Sequence, residues 1–126
     1  MGECRLIHEQ SVSGLVIRLF DRTRHYYGGY YHVKVEVHAE LPLSSGEFED
    51  SSCHEAARLL LGDPVLFVRE LERMAVPGPD VETVRFQLVE AFEQTMLPYL
   101  SHPDFPGRFI RSQLAKAVRP SPRYGH

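Results

Sequence analysis

Residues 14–41 read GLVIRLFDRTRHYYGGYYHVKVEVHAEL. Two runs rich in β-branched and aromatic residues flank Gly28-Gly29, the pattern of an antiparallel β-hairpin. Its register follows from parity, because a one-residue slip sends every side chain to the opposite face. A two-residue loop sets Tyr27 opposite Tyr30 but places Val37 across from Phe20 and Val33 across from Arg24. A three-residue loop, Tyr27-Gly28-Gly29, sets Tyr26 opposite Tyr30 and aligns Leu15, Ile17 and Leu19 with Leu41, Ala39 and Val37. That second register makes one face continuously apolar and is the one expected, with Gly29 in the left-handed region that closes such loops.

The opposite face then carries Arg18, Arg22, Arg24, His32, Lys34 and His38, with Glu36 and Glu40 among them. Glu36 is placed to bridge Arg18 and Arg22 diagonally. The tip Tyr26-Tyr27-Gly28-Gly29-Tyr30-Tyr31 adds aromatic area that recognises partners at low entropic cost, or simply covers the turn glycines. Arg18, Arg22, Arg24, Tyr26, Tyr30, His32 and Lys34 are therefore the candidate interaction surface.

Further along, the period changes. Ser52-Cys53-His54-Glu55 has capping-box spacing and predicts a helix over 53–61. Gly62-Asp63-Pro64 reads as a helix-ending glycine, a new cap and a first-turn proline, so a second helix is predicted over 64–75, burying Phe67, Val68, Leu71 and Met74. Asp80 caps a third, over 81–97, that Pro98 ends. A fourth is predicted over 107–118, after Pro103 and Pro106. A short strand over 4–9 precedes the hairpin, whose strands run over 15–25 and 30–41. The fold class is α+β, a long antiparallel hairpin with a third amino-terminal strand, packed against three to four helices in one domain over 1–118; residues 119–126 form a flexible tail.

Composition narrows the function classes. The 126 residues are 43% hydrophobic, enough for a core, and carry a formal charge of −3, which gives no overall case for nucleic acid. Charge is uneven: residues 47–96 hold eleven acids against four arginines, while residues 105–126 hold five bases and no acid. The basic last helix is expected to dock on acidic neighbours. Two cysteines form no disulfide framework or zinc pattern, and no signal-like or membrane-length apolar run occurs. A cytoplasmic protein with no membrane partner is expected.

Chemical motifs are sparse. Cys53 at a predicted helix N-terminus is the one candidate reactive thiol, since free N–H groups and the dipole favour a thiolate there; His54 beside it points about 100° away around the helix. His32 and His38 lie six residues apart, roughly 20 Å along a strand, too far to share an ion. No metal, cofactor or catalytic residue is assigned. The sequence by itself does not define an activity. The leading expectation is a non-enzymatic protein-interaction module, a homodimer that covers the open edge of its hairpin or assembles with another protein. The alternatives are a nucleic-acid or polyanion binder using the basic hairpin face and C-terminal helix, and a thiol-dependent enzyme or redox sensor using Cys53.

Overall fold

The apolar parity of residues 15–41 fixes the sheet. In the computed structural model, which describes residues 4–46, 48 and 51–118, strand β2 (Leu15–Asp21) pairs antiparallel with β4 (Tyr30–Leu41). Ile17 faces Ala39 and Leu19 faces Val37, the expected register. Leu15, Ile17, Leu19, Val33, Val35, Val37 and Ala39 are all buried. Each such valine, leucine or isoleucine stabilises the fold by roughly 1.5–3 kcal/mol. A slip of one residue would exchange three valines for His32, Lys34 and Glu36, so the register has no near competitor.

The chain is α+β, with an antiparallel sheet of five strands. β1 (Arg5–Val12) pairs with β2 through the two-residue turn Ser13-Gly14, where both residues have positive φ (52° and 83°). That is the type I′ arrangement whose twist matches the strands it joins. β1 is longer than the predicted 4–9, because the turn pins it as far as Val12.

The predicted strand over 15–25 is broken. β2 stops at Asp21 and β3 (Arg24–Tyr27) resumes beside the same strand, with Arg24 opposite His32 and His25 opposite Tyr31. The break has a local cause: the Asp21 carboxylate accepts the backbone N–H of Thr23 at 3.0 Å, a turn made by a side chain. At the tip the three-residue loop is corrected to two. Tyr27 faces Tyr30, the irregularity lies between His25 and Tyr27, and Gly28 rather than Gly29 takes the positive φ, of 55°. The extra residue sits in the strand as a bulge, which preserves the register further down.

The helix predicted over 64–75 is a strand, β5 (Val65–Pro77), paired with β4. Val65 and Phe67 are buried whereas Val68 and Met74 are exposed. Apolar residues at 67, 68, 71 and 74 suit a helix, but 65 and 67 against 66 and 68 also suit a strand. The unpaired backbone of twelve-residue β4 decides between them. Near its end Ala75 has φ 54°, and burial shifts from odd positions to Val76, the signature of a bulge.

Residues up to Glu40 together with Leu66–His102 form one compact unit, which holds α2 (Val81–Ala91) and α3 (Leu97–Leu100). A π turn, Phe92–Met96, joins them, with the Leu97 N–H bonded to the Phe92 carbonyl. Pro98 was expected to end this helix. Instead the wider turn just before it lets the helix pass a residue that lacks an N–H and crowds the preceding turn. Leu88, Phe92 and Leu100 are its buried side chains.

The second unit comprises Leu41–Val65 and the chain from Pro103. It contains a 3-10 turn (Leu43–Gly46), α1 (Ser51–Leu61) and α4 (Phe105–Val118). Buried Leu43, Ala57, Phe105 and Ile110 form its interior. α1 begins at Ser51, so Ser52 does not cap it; Glu55 pairs with Arg58 one turn on. Gly62 ends α1 as expected, with φ 81° and its N–H on the Arg58 carbonyl at 2.8 Å. α4 starts two residues before the predicted 107, since Pro106 falls in the first turn, where no N–H is needed. The expected tail over 119–126 lies outside the described residues.

Ala75 tests the bulge. The left-handed region costs a residue with a Cβ about 1–2 kcal/mol. Ala75→Gly is therefore expected to raise the urea unfolding free energy by about 1 kcal/mol, and Ala75→Val to lower it by at least as much. A loss on Ala75→Gly, as for glycine in a regular strand, would contradict the bulge.

Candidate functional site

The sheet's polar face was the expected interaction surface, and most of its bases have carboxylate partners. Arg18 donates to Glu9 at 2.5 Å and to Glu40 at 2.8 Å. Arg22 lies 3.6 Å from Glu36, and His38 Nε2 shares that carboxylate at 2.7 Å. Glu36 thus joins Arg22 to His38 rather than to Arg18. Lys34 reaches Glu70 at 3.5 Å and His32 meets Glu72 at 2.5 Å. Both glutamates belong to β5, the strand that the helical reading missed. His32 is itself buried, at 6% exposure, and so offers no surface to a partner; the more exposed pairs contribute roughly 0–1 kcal/mol each. They reduce the charge that the face offers to a polyanion.

The tyrosines divide differently. Tyr26, Tyr27 and Tyr30 are 54%, 75% and 46% exposed. Tyr31 instead meets His25, its cross-strand partner, edge-on, with ring centroids 5.4 Å apart. The tip is held from outside the hairpin by the Gly78 N–H, which donates to the Gly29 carbonyl at 3.0 Å. A Cβ on Gly78 would lie 3.4 Å from the Tyr31 ring, at ordinary van der Waals distance.

Cys53 is exposed in the first turn of α1. His54 beside it packs edge-on against Phe48 at 5.7 Å.

A site not anticipated lies where β2 breaks. Asp21 continues the parity of Leu15, Ile17 and Leu19, which places a carboxylate at a core position; only 7% of the residue is exposed. Arg5 from β1 and Arg85 from α2 each bond it at 3.1 Å. Burial pushes the Asp21 carboxyl up and is the largest single influence. Hydrogen bonds from the Thr23 hydroxyl and amide, with the charges of Arg85 and Arg5, outweigh burial and hold the group below the usual carboxylate range. Arg85 also donates to Glu82 at 2.6 Å, while its buried Nε–H has no acceptor among the described residues. These side chains line an open cleft of about 640 Å³ within the first unit, which Arg24, His25 and Tyr31 help to wall. The signal was present in the sequence as Asp21-Arg22-Thr23, a turn-forming aspartate on the apolar parity of a strand.

Compared with protein-family models, curated proteins and solved structures, the chain matches none. No helix among the described residues is long and apolar enough to cross a membrane.

Asp21→Asn keeps the shape but leaves two guanidiniums facing a neutral amide. Loss on the order of 3 kcal/mol is expected at neutral pH, the scale for breaking a largely buried pair. The folded carboxyl titrates below its unfolded value of about 3.9, so its stabilisation is complete above that pH and is lost as pH falls through the folded value. Urea unfolding at stepped pH should show an acid limb in the native chain that is shallower in Asp21→Asn. Identical limbs would remove Asp21 from the acid response.

Proposed function

We propose that the chain is a non-enzymatic interaction module that self-associates through the tip of its β3–β4 hairpin. The observation that carries this reading is the exposure of Tyr26, Tyr27 and Tyr30 on a turn anchored through Gly29. Tyrosine supplies wide amphipathic contact with few rotamers to freeze, and an anchored turn lowers the ordering cost further. Two such tips related by a two-fold axis present each other with the same rings.

The edge of the sheet is a weaker route to the same dimer. The β4 edge that first suggested a second copy is occupied by β5, which leaves β1 and β5 at the margins. Antiparallel pairing of β5 with its own copy about Leu71 would set Arg69 opposite Arg73 and Glu70 opposite Glu72. Like charges directly opposed disfavour that register, and the Ala75 bulge interrupts the strand beyond it. Two exposed cysteines suit a reducing compartment such as the cytoplasm.

Sedimentation across micromolar to millimolar concentrations is expected to show a species of twice the 14.4 kDa chain mass. The Tyr26→Ser, Tyr27→Ser, Tyr30→Ser variant should associate more weakly by roughly tenfold or more per anchoring ring, with unfolding free energy within about 0.5 kcal/mol. A chain monomeric throughout, or a variant that associates as tightly as the parent, would end this reading.

A further inference from the structure

The cleft at the β2 break is surrounded by hydrogen-bonding groups whose uncommitted capacity is on the donor side. Asp21 accepts from Thr23, Arg5 and Arg85, and the other carboxylate of the lining, Glu82, accepts from Arg85. Asp21 is thereby engaged at both oxygens and Glu82 at one, with the rest of its side chain exposed.

The arginines are not exhausted. Arg5 gives one terminal nitrogen to Asp21 and remains mostly exposed. Arg24, on the cleft wall, has no carboxylate partner among the described residues. Arg85 is largely buried, with its two terminal nitrogens on carboxylates and its Nε–H without an acceptor. Three guanidiniums against two carboxylates leave one positive charge in excess. A guanidinium presents its N–H groups as a planar fork that matches the oxygens of a phosphate or carboxylate.

Size and wall chemistry narrow the class. At about 640 Å³ the cleft falls in the range of roughly 300–1,000 Å³ typical of organic ligands and is larger than a bare inorganic ion needs. Tyr31, held edge-on to His25, gives the wall an aromatic surface. Phosphate brings more acceptor oxygens than carboxylate and so answers guanidiniums from two different strands at once.

The geometry points to a binding site for a small organic phosphate ester, with Arg24 and Arg5 gripping the phosphate and Tyr31 flanking the organic group. This site shares Tyr31 with the tip but none of the exposed rings of Tyr26, Tyr27 and Tyr30, and it does not depend on self-association.

Phenyl phosphate is the probe. Titrated into the ¹⁵N-labelled full chain, it should move the amide resonances of Thr23, Arg24, Gly78 and Glu82 in a saturable way. Benzoate and phenol should bind at least tenfold more weakly; this comparison needs no variant and so survives a variant that fails to fold. Inorganic phosphate should compete at the same resonances. Arg24→Gln should weaken phenyl phosphate at least tenfold, and Arg24→Lys should restore part of the loss, because a point charge replaces a fork. Three results would overturn the assignment: no saturable shifts at those residues, benzoate or phenol binding as tightly as phenyl phosphate, or a folded Arg24→Gln with undiminished affinity.

Discussion

Strand β4 is the constraint on which the sheet depends. It pairs with β2 and β3 along one edge and with β5 along the other, and its Val33, Val35, Val37 and Ala39 are fully buried. The aliphatic face outweighs the ion pairs on the opposite side several-fold, residue for residue. Hydrophobic parity therefore sets the register, and the charged residues arrange themselves within it. Arg18, Arg22, Lys34 and His32 find glutamates on neighbouring strands because the register brings those strands alongside.

Asp21 departs from this logic and makes the cleft. A carboxylate on the apolar parity is tolerable only with several hydrogen bonds and opposite charges around it, and Thr23, Arg5 and Arg85 supply them. The same hydrogen bond to Thr23 interrupts the strand. One side chain thus ends β2, gathers arginines from two other elements, and opens a concave surface within the first unit. Partly polar interiors of this kind are costly to assemble and are often where a fold meets small molecules.

Much of this was legible in residues 14–41. Alternation there carried the sheet half of the α+β class and the pairing of Ile17 with Ala39 and Leu19 with Val37. What could not be read depended on partners far away in sequence. Residues 65–76 satisfy both a helical and an extended pattern, and only the unfilled edge of β4 selects the second. Pro98 is a helix breaker by local rules, yet a π turn accommodates it. The bulge at Tyr26 moved the positive φ from Gly29 to Gly28 without disturbing anything below, so the tip was misread while the register held. The cleft was missed for a simpler reason: Arg5, Asp21 and Arg85 are spread over eighty residues, and only Asp21 carries a local anomaly.

The bond from the Gly78 N–H to the Gly29 carbonyl has a mechanical side. It ties the end of the hairpin to the segment that leads directly into α2, like a cross-brace between a beam and a post. Force applied to the outer tyrosines is thereby borne by the rod of α2 and α3 instead of bending the slender β3–β4 ribbon alone. Stiffness at the far end of this hairpin is thus borrowed from a helix.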